Sequence, residues 1–76
     1  MTTQKQHKLR QLDTDLRIIE QQADACGFDI DALPAWVELC ALVTAYQCGE
    51  RRHSIGFVRE YGTLQQTVIK IIAGAA

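Results

Sequence analysis

The sequence predicts an all-α fold, a three-helix chain in which two amphipathic helices surround one apolar central helix. Completion of a helical bundle as a homodimer is expected with it. Three observations lead there. Apolar residues recur at a helical period in the first third of the chain. The middle third holds a run with no polar side. The last third carries a second heptad-like stripe. The chain has 76 residues, 47% of them hydrophobic, and a single proline. That composition describes one small folded domain spanning 1–76 rather than a disordered segment. A chain of this size buries only about 60% of its unfolded surface. Small scaffolds commonly add disulfides, a metal or a second copy to reach useful stability.

The first helix is expected over about 3–26. Leu9, Leu12, Leu16, Ile19, Ala23 and Cys26 are spaced 3-4-3-4-3, an a/d seam. Asp13 precedes Arg17 by four residues, the favourable order for a surface ion pair on a helix. Gly27 suits the left-handed position after a helix, with Phe28 able to fold back on the last turn.

The second helix is expected over about 34–48, after the short connection Phe28–Leu33. Pro34 fits a first turn, where its missing N–H costs nothing. Asp31 or the Leu33 backbone then stands at its start, and Asp29, Asp31 and Glu38 lie near its positive end. At 100° per residue its polar members Glu38, Thr44 and Gln47 point in three separate directions. A helix without a polar face must be covered on every side, and a chain this short has little to cover it with. A second copy is the commonest solution.

Gly49 should stop that helix. The third is expected from Glu50 or Ser54 to about 73, because Phe57, Tyr61, Leu64, Val68, Ile71 and Ala75 are spaced 4-3-4-3-4. Ile55, Val58, Ile69 and Ile72 broaden the stripe. Gly56 and Gly62 each weaken a helix by about 1 kcal/mol, and the run Thr67-Val68-Ile69 also suits a strand. Strict alternation fails at Gln65-Gln66 and Val68-Ile69, so the helical period prevails.

Net charge is −1, unevenly spread. Residues 1–19 carry +2, residues 20–50 carry six acids and no base, and residues 51–76 carry +3. This balance disfavours strong non-specific nucleic-acid binding, which needs many phosphate contacts. No apolar stretch approaches the length of a membrane span, about 20 residues, so no membrane partner is expected. The polar N-terminus has no apolar signal core. With three cysteines, Cys26, Cys40 and Cys48, it predicts a reduced, cytoplasmic protein with packing thiols.

The chemistry-bearing residues form no site by spacing. Cys26-x13-Cys40 and Cys40-x7-Cys48 lack the close pairs of structural zinc, and His7 and His53 stand alone. No metal or cofactor is expected. His53-Ser54 and the Cys48–His53 pair lack an oxyanion hole or a third orienting group, and no phosphate-binding glycine loop is present. The expectation is a protein that is not an enzyme.

Residues 41–59 resemble the helix–turn–helix pattern. Ala45 precedes Gly49 by four, and apolar Ile55 and Val58 follow, the small residue allowing close crossing and the glycine making the turn. The resemblance implies a recognition helix opening with Arg51, Arg52, His53 and Ser54, followed by Arg59, with donors for phosphates and base edges. Glu50 stands where the pattern has an apolar residue, and Gly56 loosens the helix meant to read the groove.

The functional expectation is a small interaction protein, a regulator, inhibitor or adaptor, acting as a homodimer through protein–protein contacts. The expected contact residues are Trp36, Leu39, Val43 and Tyr46 with Phe57, Tyr61, Leu64 and Val68. The alternative is a dimeric DNA-binding regulator using Arg51, Arg52, His53 and Arg59.

Overall fold

The computed structural model describes residues 4–75. They form α1 (Gln4–Ala25), a single 3-10 turn (Ile30–Ala32), α2 (Pro34–Gln47) and α3 (Ile55–Ala75), with no strand among the described residues. The fold is all-α, as the periodicity requires. Thr3, where the sequence places the start of the first helix, lies outside the described residues.

Both interhelical connections begin with the same local device. Gly27 has φ 70° and Gly49 has φ 84°, the left-handed region that a side chain strains to enter. After α1 the Phe28 N–H donates to the Ala23 carbonyl at 2.8 Å and the Gly27 N–H to Asp24 at 3.1 Å. After α2 the Glu50 N–H donates to Ala45 at 2.8 Å and the Gly49 N–H to Tyr46 at 3.2 Å. These are paired Schellman closures, which satisfy carbonyls that a helix end otherwise leaves open. Phe28 turns back against the core.

The helix starts use different means. Pro34 occupies the first turn of α2 behind Leu33, whose carbonyl receives the N–H groups of Trp36 and Val37. At α3 the Ser54 Oγ accepts the Phe57 N–H at 3.2 Å, three residues on. That is an N-cap, typically contributing about 1 kcal/mol. It sets the start at Ile55 and leaves Glu50–Ser54 in the loop.

Two turns make an up-down-up arrangement, in which α1 and α3 run the same way and α2 returns between them. Most tertiary packing lies between α2 and α3. The interior is built from Ile19 and Ala23 of α1, Ile30 of the 3-10 turn, Trp36, Leu39, Leu42 and Tyr46 of α2, and Phe57, Tyr61, Val68 and Ile72 of α3. Phe57, Leu39 and Val68 are the largest fully enclosed side chains.

Two expectations change here. Leu9, Leu12 and Leu16 are only partly buried against this core, and Cys26 is exposed. α1 ends at Ala25, so Cys26 belongs to the turn and rotates away from the seam. The apolar central helix is also not enclosed all round. Its covered side is complete, while Val37 on the other side remains 56% exposed.

Polar contacts join α1 to the rest. The Tyr61 hydroxyl donates to Asp15 Oδ2 at 3.5 Å. Lys8 Nζ lies 3.1 Å from His53 Nδ1, and Lys5 Nζ lies 5.6 Å from the Tyr46 ring centre. The Asp13–Arg17 pair forms at 3.3 Å but is well exposed, so it contributes at most about 0.5 kcal/mol.

A Cβ at Gly62 meets nothing within 4 Å. Gly62→Ala should therefore stabilise the protein by up to about 1 kcal/mol in denaturant unfolding, while Gly27→Ala destabilises it because φ there is positive. Tyr61 is pushed up to about 12 from 10.0, by burial first and then by the Asp15 charge and hydrogen bond. A phenol whose proton is held more tightly when folded supports folding fully below pH 10.0, and loses that support as pH climbs through about 12. Ultraviolet titration should show this late ionisation, and Tyr61→Phe should remove it.

Candidate interaction surface

The side chains of α2 fall into two sets at helical spacing. Trp36, Leu39, Val43 and Tyr46 point inward with Leu42, whereas Pro34, Val37, Ala41, Thr44 and Cys48 at its C-terminal cap are all exposed. Both sets follow a 3-4 repeat, which is why the run looks apolar on every side. Bulk separates them. Trp, Leu and Tyr gain most from leaving water, at roughly 25 cal/mol per Å², so they take the interior and the smaller members face out.

The outward set has an additional property. Thr44 Oγ1 donates to the Cys40 carbonyl at 2.9 Å, a back-bond within the helix. The hydroxyl is thereby satisfied internally. The one charged residue of α2, Glu38, is exposed at the edge of this face, one residue after Val37 and one turn before Ala41.

Most of the expected contact residues are spent inside the chain. Trp36, Leu39, Tyr46, Phe57, Tyr61 and Val68 are all at most 8% exposed and present nothing to a partner in this structure. Val43 and Leu64 are partly exposed. The reason is that α1 and α3 do enclose one side of α2, so the large side chains find their cover within one copy. The exposed large hydrophobics are instead Ile18, Val37, Ile55, Val58 and Ile71.

An aromatic cluster anchors the loop after α2. The ring of Phe57 lies 5.1 Å from Tyr46, 6.3 Å from Tyr61 and 5.8 Å from His53. His53 also meets Tyr46 edge-on at 6.1 Å. Arg51 reaches over Phe57 at 5.9 Å and pairs with Glu60 at 2.9 Å.

The residues of the helix–turn–helix resemblance are divided between a loop and a helix. Arg51, Arg52 and His53 lie in the seven-residue loop 48–54 and not on a recognition helix; only Arg59 is on α3. Arg51 is committed to Glu60 and Phe57, and His53, an exposed residue, has its ring beside Tyr46 and Phe57. Arg52 and Arg59 are exposed.

Two shallow grooves border these elements. One, of about 510 Å³, runs between α2 and α3 and is lined by Ala41, Leu42, Ala45 and Leu64 with Glu38, Glu50, Arg51 and Glu60. The other, of about 550 Å³, is lined by His53, Ser54, Ile55, Val58 and Arg59.

The three cysteines are free, Cys26 and Cys48 being exposed. Burial, then the charges of Glu20 and Asp31, push the Cys40 thiol up. Among the described residues no three His, Cys, Asp or Glu side chains are grouped to hold a metal ion, and no helix is long and apolar enough to cross a membrane. No family model, no curated protein and no solved structure matches this chain.

Proposed function

We propose that this chain is a small non-enzymatic interaction protein, a regulator, inhibitor or adaptor, which works as a homodimer through the open face of α2. The observation that carries the reading is that face itself. Val37, Ala41 and Thr44 stand in water with one carboxylate, Glu38, at their edge, and the threonine hydroxyl is turned into the helix. A helix side with so little charge suits helix-to-helix docking, and self-association is its commonest use.

A basic end supports a second reading. Lys5 and Lys8 of α1 are drawn to the α2–α3 loop, close in the fold to Arg52, with Arg59 one turn into α3. Cations gathered from residues more than forty apart in sequence suit an anionic partner such as DNA. The first reading is preferred because Glu50 and Glu60 stand beside the same loop and Arg51 is already paired.

Light scattering across a concentration series tests the dimer. The expected mass is twice 8.5 kDa, and Ala41→Glu should yield a monomer with unchanged helix content and at least tenfold weaker association. A wild-type monomer at all concentrations would sink the reading. For the DNA alternative, Arg59→Glu should weaken duplex binding in low salt while leaving the mass unchanged. Absence of duplex binding by the wild-type chain removes that alternative.

A further inference from the structure

We infer that the groove between α2 and α3 is a docking site for a basic amphipathic helix of another protein. The residues that form it all belong to one copy, so the inference goes beyond the homodimer reading and does not rest on it.

The groove, of about 510 Å³, has an apolar floor and an acidic rim. Ala41 and Ala45 stand one turn apart on α2, with Leu42 beneath them and partly buried Leu64 opposite on α3. The separation of packed helices is set by the side chains at the contact, so two alanines let an incoming helix approach α2 closely. Such a helix would lay apolar residues, three and four apart, against Ala41, Ala45 and Leu64.

Charge names the occupant. The rim carries three carboxylates, Glu38, Glu50 and Glu60, against one guanidinium, Arg51. Arg51 and Glu60 neutralise each other at 2.9 Å. Glu38 and Glu50 are exposed, and neither has an ion-pair partner among the described residues. Local stability accounts for neither. Helix dipoles favour an acid in the first turn and oppose one at the C-terminal end. Glu38 lies beyond the first turn of α2, and Glu50 follows its C-terminal end. From Glu38 to the end of α2 at Gln47 is about 14 Å at 1.5 Å per residue, with Glu50 just beyond. A partner helix meets both carboxylates with Lys or Arg side chains about three turns apart, flanking its apolar stripe.

The other side of α3 has the opposite sign. The charged residues of its groove are Arg59 and Lys70, which repel a basic helix. Exposed ion pairs are individually weak. The floor therefore supplies affinity, and the rim selects the sign of the partner.

Peptide binding to the isotope-labelled full chain tests the assignment. The probe is a synthetic helical peptide with leucine at 3-4 spacing and lysine elsewhere. One control peptide has glutamate in place of lysine, and another has serine in place of leucine. The leucine–lysine peptide should shift the amide resonances of Ala41, Leu42, Ala45 and Leu64, and should bind at least about tenfold more tightly than either control. Glu38→Lys with Glu50→Lys, both at exposed positions, should weaken that binding at least about tenfold in low salt with helix content unchanged. Equal binding of the leucine–glutamate peptide overturns the inference, as does undiminished binding to a folded double variant. So do shifts confined to other surfaces, or no binding up to about 1 mM peptide. Concentration-dependent shifts at Glu60 and Leu64 in the chain alone would place a second copy in the groove, and also overturn it. Should the double variant fail to fold, the three peptides on the wild-type chain decide the matter.

Discussion

Phe57 holds the molecule together from the place where α2, α3 and the loop between them meet. Its ring sits between Tyr46 at the end of α2 and Tyr61 one turn further along α3, with His53 and Arg51 of the loop against it. Only 1% of it meets solvent. Aromatic pairs at these separations each contribute about 0.5–1.5 kcal/mol beyond the area they bury. Through Tyr61 the cluster reaches Asp15, and through Tyr46 it reaches Lys5, so α1 is secured to the same point. The Ser54 cap and the Gly49 closure make this possible. They set the loop length that brings Phe57 under Tyr46.

That cluster explains why α2 can be apolar all round and still have an inside and an outside. Once Tyr46 is committed to Phe57, the helix's rotation is determined, and Trp36, Leu39 and Leu42 follow at helical spacing onto the same side. Val37, Ala41 and Thr44 are left on the other. None of the helices among the described residues covers them. The α2–α3 unit is therefore complete as a core and incomplete as a surface.

How much of this was legible in the sequence depends on range. The two glycine stops, the proline start and the choice of helix over strand for residues 55–75 rest on local chemistry, and they can be read from a few neighbouring residues. The rotation of α2 cannot, because its inward and outward sets have the same period and differ only in bulk. This is why Trp36, Leu39 and Tyr46 look like contact residues until they are seen enclosed. The pairing of Arg51 with Glu60 is equally hidden. It spans nine residues and depends on a loop that no periodicity describes. The outward set 34-37-41-44-48 was present in the spacing all along, and separating it required knowing which side Phe57 occupies.

The uneven burial of α1 has a consequence for how the molecule opens. Its only fully buried residues, Ile19 and Ala23, belong to its second half, whereas Leu9, Leu12 and Leu16 are half-covered. The first half is held mainly by Lys5 and Lys8 reaching to Tyr46 and His53. Proteins open in cooperative units of unequal free energy, and segments with few enclosed contacts open first. Amide protons in the opening turns of α1 should accordingly exchange well before those of the α2–α3 pair. Each such opening bares the flank of Tyr46 and His53 while the outward face of α2 stays folded, so the chain can release its N-terminal arm without dismantling the surface through which it pairs.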